Sequence, residues 1–385
     1  MSNIKQVEEQ LQDRINYAKM LIRSDKVGEA LLAIDEIEQE AEPHQHVLPP
    51  ALRYLIPFTR GRAYMQIKRP DLATPELELA LEIAEEDHEA RARVRNLLGV
   101  ILYEQGQPIA AKAHHLVCAR AIKEGEIKDL SFRFSVYYNL ANDYLASDDM
   151  PHAIGRYKDA LRVLKDLDAP EREADVFWGL AMAYRTIGNW RYARLYAARA
   201  IEVYKSTGNR PAQAAMQINL AEILIDEERD TEAARALDQA LGLLEGTDSH
   251  GMLSYVHRYY ADLARTSGDL EKAAQHVEES VRQAEMLTTR GQDPDGNVWI
   301  ETTRTLAEAL HAAALVEEAR GSPARGDDLF KQAIELIEQT TVEAAKRAIH
   351  LSYGTVLEAR GSYKEAVEQF RAAAGHPPAR SRLAR

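Results

Sequence analysis

The chain has 385 residues, of which 48 are Lys or Arg and 61 are Asp or Glu, so its formal charge is −13. An acidic surface repels phosphate backbones, so composition argues against direct nucleic-acid binding by this chain. A single cysteine, Cys118, excludes an internal disulfide framework, and no apolar run is long enough to cross a bilayer. The polar start lacks the apolar core of a signal peptide, so we expect a cytoplasmic protein without membrane contact.

Helix-forming residues dominate the chain, and apolar residues recur at spacings of three and four, which predicts helices throughout. Residues 1–50 are predicted to form a degenerate first repeat or cap, with a helix over about residues 4–22 and a loop at 42–50. Residues 51–373 are predicted to form a stack of helical hairpins, interrupted by a loop at 288–297. Residues 374–385 are predicted to be a disordered basic tail.

The most informative pattern lies in the middle of the chain. Ala153, Ala193, Ala233 and Ala273 follow one another at a constant spacing of 40 residues. Each is preceded, twelve residues earlier, by another small residue, and a turn lies between the two. A fixed period in this range indicates a repeat protein whose hairpins must stack to bury their apolar faces.

This pattern resembles the tetratricopeptide repeat, in which small residues stand where the two helices of a hairpin approach most closely. Eight copies are visible, with the family's first small position at Gly61, Gly99, Ala141, Ala181, Ala221, Ala261, Ala314 and Gly354. The resemblance implies an all-α fold, a right-handed α-α superhelix of about nine helical hairpins. The chain departs from the family in its longer period, and in the stretched copy that contains Ala314, where Glu317 and Gly326 replace a large residue and an Ala. This copy is the eighth unit when the degenerate first repeat is counted.

The resemblance also implies an inward groove lined by the first helix of each hairpin. Amide, guanidinium and aromatic side chains at groove positions would suit a peptide, because they can bond a backbone, grip a carboxylate and offer flat apolar contacts. The alternative is that these side chains are solvated or brace adjacent repeats. The candidate groove residues are Asn96, Tyr103, Tyr138, Asn139, Asn142, Trp178, Arg185, Asn219, Glu222, Arg258, Tyr259, Asp262 and Arg265.

The forty-residue spacing resembles a subgroup that includes peptide-receptor regulators of quorum sensing, sensor regions of bacterial transcription activators and eukaryotic scaffolds. We therefore expect a non-enzymatic module that senses a peptide or protein segment within a bacterial, transcription-linked regulatory protein. A static protein–protein scaffold is the alternative. A third hypothesis, a phosphatase-like regulator, would need a catalytic bundle within residues 1–50. DNA binding would need a further segment or a partner.

No cofactor or metal site is expected. His44 with His46, and His114 with His115, lack the further ligands that a metal site needs. Cys118 stands at a small-residue position, which indicates packing and not reactivity. The last repeat has little polar cover beyond Ala373, so we expect its end either to fray or to pair with a second copy in a homodimer.

Overall fold

The computed structural model describes residues 2–85, 87–290, 300–340 and 342–375. These residues form helices and the turns that join them, with no strand among them. They divide into two compact units, Met1–Asp168 and Ala169–Arg385. The prediction of an all-α repeat fold is confirmed.

The first unit contains four hairpins, formed by α1 with α2, α4 with α5, α6 with α7, and α8 with α9. A 3-10 turn at Glu42–His44 and the short helix α3 join the first hairpin to the second. The helices are α1 Ser2–Arg23, α2 Val27–Ala41, α3 Pro50–Arg53, α4 Leu55–Gln66, α5 Pro70–Ile83, α6 His88–Glu104, α7 Pro108–Lys123, α8 Leu130–Ala146 and α9 Met150–Leu164.

The described part of the second unit contains five hairpins, each formed by an even-numbered helix and the helix that follows it. Helix α14 also packs against α12 and α16, so the first helices of successive hairpins lie side by side. The helices are α10 Pro170–Thr186, α11 Trp190–Ser206, α12 Arg210–Asp226, α13 Asp230–Leu244, α14 His250–Thr266, α15 Leu270–Arg290, α16 Ile300–Ala319, α17 Pro323–Glu338, α18 Glu343–Ala359 and α19 Tyr363–Ala374.

The turn inside each hairpin depends on a residue with left-handed backbone geometry. Gly188 has φ 71°, a conformation that costs a residue with a side chain but not glycine. The chain then reverses, because the N–H of Asn189 bonds to the carbonyl oxygen of Tyr184 at 2.9 Å and closes the end of α10. The side chain of Asn189 accepts a hydrogen bond from the N–H of Tyr192 and so caps α11.

Small residues allow the two helices of a hairpin to touch. Ala153, Ala193, Ala233 and Ala273 are all 0% exposed, which confirms the packing role that their spacing predicts. At Gly326 the helices lie closer still, since a Cβ placed there would lie 3.3 Å from the carbonyl oxygen of Ala314. The glycine in the stretched copy is therefore a packing residue.

The segment boundaries differ in detail from those expected. Residues 1–50 include a complete hairpin, α1 with α2, and its second helix buries Ile34 and Ile37. The expected loop at 288–297 begins too early, because α15 continues to Arg290 through a stretch without Gly or Pro. Residues 291–297 lie outside the described residues. At the other end, Ala374 is still helical, and the rest of the expected tail from 376 onward lies outside the described part of the chain.

Candidate functional site

The second unit contains a cleft formed by the first helices of four consecutive hairpins, α10, α12, α14 and α16. We call it the α10–α16 cleft. Six of its residues are among the candidate groove residues: Arg185, Glu222, Arg258, Tyr259, Asp262 and Arg265. The others are Ile225, Asp226, Ala261, Glu308, His311, Ala312, Leu315 and Val316.

Arg185 joins two helices on one side of the cleft. Its Nη1 lies 2.9 Å from a carboxylate oxygen of Glu222, and its Nε donates to Asp226 at 2.6 Å. Burial lowers the pKa of Arg185, but the two carboxylates more than offset this effect and the net direction is upward. Because Arg185 on α10 pairs with two carboxylates on α12, it holds these two helices together and fixes this wall of the cleft.

Arg258 occupies the centre of the cleft and is less well satisfied. Its guanidinium lies over the rings of Tyr259 and Tyr255, with distances of 4.6 and 5.2 Å to their centroids. Within the described residues, the carboxylate oxygen that pairs with Arg258 comes from Glu308 and is 3.4 Å from Nη2, and the buried Nε has no hydrogen-bond partner there. Two rings therefore hold the guanidinium in place and leave a donor unused.

His311 lies beside Arg258 and is 4% exposed. Its ring packs against Phe330 with a centroid distance of 5.7 Å, and its buried Nε2 has no hydrogen-bond partner. Burial, followed by the charges of Arg258 and Arg265, lowers the pKa of His311 to about 3. The ring is therefore neutral at pH 7 and presents both a donor and an acceptor.

This arrangement suits a small polar ligand group better than a polyanion. Three arginines and four carboxylates line the cleft, so its charges almost cancel. The enclosed volume is about 40 Å³, which is room for about three water molecules. A buried polar atom without a partner costs about 1–3 kcal/mol. A group that bonded the Nε of Arg258 and the Nε2 of His311 would recover that cost.

The other candidate residues of the second unit lie outside the lining of this cleft. Trp178 is half-buried, and its Nε1 has no hydrogen-bond partner. Asn219 donates only to the sulfur of Met216, at a long 4.0 Å. Both residues lie on the same first helices, α10 and α12, that build the cleft.

Most candidate residues of the first unit contact other side chains of that unit. Asn139 donates to the side-chain oxygen of Asn96 at 3.2 Å, and Asn142 accepts a hydrogen bond from the hydroxyl of Tyr157. Tyr138 packs against Phe134 with a centroid distance of 5.7 Å. Of these contacts, the bond between Asn96 on α6 and Asn139 on α8 joins adjacent hairpins, which is the bracing role given above as the alternative. Tyr103, which is 39% exposed, is the most accessible of the set.

A buried contact between a histidine and an aspartate in the first unit was not predicted from sequence. His115 Nδ1 lies 2.5 Å from Asp143 Oδ2, and neither residue is exposed to solvent. Burial raises the pKa of Asp143, and the contact with His115 opposes that rise. His115 is thus a core residue. Among the described residues there is no group of three or more metal-binding side chains.

Cys118 is fully buried, as its small-residue position predicts. Burial raises the pKa of its thiol to about 12, so the reactive thiolate is scarce at neutral pH. Over the residues that the structure describes, no helix has the length and apolar character required to traverse a bilayer.

The sequence matches known families in its central part. Residues 132–206 and 178–246 match two models of the tetratricopeptide repeat. The chain therefore carries tetratricopeptide repeats, and the resemblance inferred from its small residues is confirmed. No curated protein matches the chain by sequence.

Solved structures with the same fold cover nearly the whole chain. The apo form of the quorum sensor NprR from B. thuringiensis has a TM-score of 0.65 at 13% identity, covering 96% of this chain and 99% of its own. A Rap protein complexed with competence and sporulation factor has a TM-score of 0.64 at 14% identity, covering 96% and 97%. NprR in complex with its cognate peptide NprX has a TM-score of 0.55 at 12% identity, covering 95% and 90%. At these identities the likeness establishes the fold.

Proposed function

We propose that this chain is a non-enzymatic interaction module that binds a peptide or protein segment, one polar group of which enters the α10–α16 cleft. We further propose that it serves as the ligand-sensing part of a bacterial, transcription-linked regulatory protein. The observation that carries the proposal is the pair of buried, unpartnered polar atoms, the Nε of Arg258 and the Nε2 of His311, in one cleft. Two of the similar structures are complexes with peptides or factors by their own descriptions, which supports this ligand class.

A peptide fits the chemistry of the cleft. Its carbonyl oxygens or terminal carboxylate can accept from Arg258, while its N–H groups can donate to Glu308 or Asp262. Arg258 and Asp262 lie on α14 and Glu308 lies on α16, so an extended ligand would contact two neighbouring hairpins at once. A ligand bonded to α14 and α16 together would favour one spacing of these two helices, which is how a stack of hairpins could report binding.

The direct test selects peptides from a random seven-residue library on the immobilised full chain and measures their affinity by isothermal titration. Arg258→Met removes the guanidinium and keeps most of the apolar stem. We expect it to weaken binding at least tenfold, because a bond to a charged group contributes about 1.5–3 kcal/mol. Arg235→Met is the matched control, because Arg235 is exposed on α13 and outside the cleft. Equal affinity of the wild type and Arg258→Met would contradict the placement of the site.

Small-angle scattering with and without a selected peptide distinguishes a sensor from a static scaffold. A sensor changes its radius of gyration on binding, because the ligand stabilises one arrangement of the helices. A scaffold binds its peptide and keeps the same scattering curve. Unchanged scattering at saturating peptide would favour the scaffold and remove the sensing role.

A further inference from the structure

The first unit contains a cluster of cations on two packed helices, far along the chain from the α10–α16 cleft. Lys19 and Arg23 stand one turn apart on α1, so they share one face of that helix. Arg62 lies on α4, which packs directly against α1. We call Lys19, Arg23 and Arg62 the α1–α4 cation cluster.

Contacts between α1 and α4 place Arg62 level with the other two cations. Ala63, the residue after Arg62, packs with Leu21 and Ile22 of α1 in one buried cluster. One turn further along, Gln66 donates to Asp25 at 3.0 Å. The two helices therefore run in the same direction with a fixed offset, and Arg62 lies at the height between Lys19 and Arg23.

The cluster lacks an acidic partner among the described residues. In the described part of the chain, no carboxylate forms an ion pair or hydrogen bond with Lys19, Arg23 or Arg62. Two other cations on the same helices are paired: Arg14 of α1 bonds Glu36, and Arg60 of α4 bonds Glu38 at 2.7 Å. In a chain with an excess of carboxylates, three adjacent cations without a partner are unexpected.

The environment of the cluster opposes its positive charge. Burial lowers the pKa of Lys19, and the neighbouring charges of Arg62, Arg93 and Arg23 lower it further. Burial likewise lowers the pKa of Arg62, followed by Arg23 and Arg93. Arg93 itself is neutralised by Glu89 and Asp129, at 2.7 and 2.8 Å. The free protein thus retains a like-charge repulsion that an anion would relieve.

We propose that the α1–α4 cation cluster is a binding site for a compact doubly charged anion of the phosphate class. A phosphoryl group has several acceptor oxygens close together, so neighbouring side chains can donate to it at the same time. Guanidinium and ammonium groups both bind phosphoryl groups. Three positive charges also complement a doubly charged anion better than they complement a singly charged carboxylate. This site lies within the first unit and is independent of the peptide site proposed above.

The test measures thermal unfolding of the full chain in sodium phosphate and in sodium chloride at equal ionic strength, with isothermal titration of inorganic phosphate. Arg62→Met removes one charge and keeps the apolar stem, and Lys5→Met on the exposed face of α1 is the control. We expect phosphate to stabilise the wild type and the control. Arg62→Met should melt above the wild type in chloride, because repulsion is relieved, and should bind phosphate about tenfold more weakly.

A phosphoserine pentapeptide compared with free phosphate then separates the two sources of this anion. Tighter binding of the peptide assigns the site to a phosphorylated chain, and weaker binding assigns it to a free anion. The proposal is overturned if phosphate stabilises the wild type no more than chloride does, or if Arg62→Met responds to phosphate as the wild type does. It is also overturned if a Glu-rich peptide binds at the cluster and phosphate does not.

Discussion

Replacing Gly99 by Ala tests the packing argument at its tightest point. A Cβ at Gly99 would lie 2.4 Å from the Nε2 of His115 and 2.7 Å from its Cε1, well inside van der Waals contact. The ring has no room to retreat, because it is fully buried and its Nδ1 lies 2.5 Å from Asp143. Accommodating the methyl group therefore requires that α6 and α7 separate or that His115 leave its partner.

The magnitude follows from three effects. Ala is favoured over Gly in a helix by about 1 kcal/mol. Overpacking a core costs about 1–3 kcal/mol. Breaking the buried hydrogen bond between His115 and Asp143 leaves a polar group without a partner and costs about 1–3 kcal/mol. After the helix-propensity gain is subtracted, the variant loses about 1–5 kcal/mol in total.

Urea unfolding followed by circular dichroism measures this loss. Gly155→Ala is the matched control, because a Cβ at Gly155 of α9 meets nothing within 4 Å. The control should gain about 0.5–1 kcal/mol from helix propensity alone. If Gly99→Ala were as stable as Gly155→Ala, the close approach of α6 to α7 would be refuted.

Three further predictions concern other buried groups. The folded-state pKa of His311, about 3, lies below its unfolded value, so its contribution to stability is present above about pH 6.5 and is lost as the pH falls. Between pH 6.5 and 5 the wild type should therefore lose up to about 2 kcal/mol more than His311→Leu in urea unfolding, and parallel curves would contradict the burial of this ring. Ala193→Leu should lose about 1–3 kcal/mol by overpacking, and a melting temperature equal to that of the wild type would contradict the contact. Cys118 should react with a thiol reagent only as fast as the protein opens, and prompt reaction of the native protein would contradict its burial.

The repeat architecture was predictable because its signal is local and recurs. A small residue at a helix contact is a steric requirement. The four alanines at the regular spacing are therefore all fully buried: Ala153, Ala193, Ala233 and Ala273. Helix ends were less predictable. Helix α15, which ends at Arg290, contains residues of adequate helix propensity up to its last turn. The sequence therefore gives no stop signal before Gly291.

The cleft was predictable in part. Position within the repeat placed Arg185, Glu222 and Arg258 on the lining, because first helices of consecutive hairpins lie side by side. Glu308 and His311 were missed, although they occupy the second and fifth positions of the stretched copy, where the same rule would have found them. Sequence position does not reveal which polar atoms are left without partners, since that depends on the packing of Phe330 and other distant residues.

The amides of the first unit show the limit of this reasoning. Asn139 and Asn142 stand at groove positions, but Asn139 bonds Asn96 and Asn142 bonds Tyr157. Whether an amide faces a ligand or its neighbour is decided by contacts between separate helices. The α1–α4 cation cluster was missed for the same reason, because Lys19 and Arg62 meet only when α1 packs against α4.

The most direct test of the central claim is photo-crosslinking of a library-selected peptide that carries a benzophenone side chain, followed by mass spectrometry of the crosslinked full chain. Binding in the α10–α16 cleft predicts crosslinks within α12, α14 and α16, and their loss in Arg258→Met but not in Arg235→Met. Crosslinks confined to second helices such as α11 and α13, or unchanged in Arg258→Met, would contradict the account.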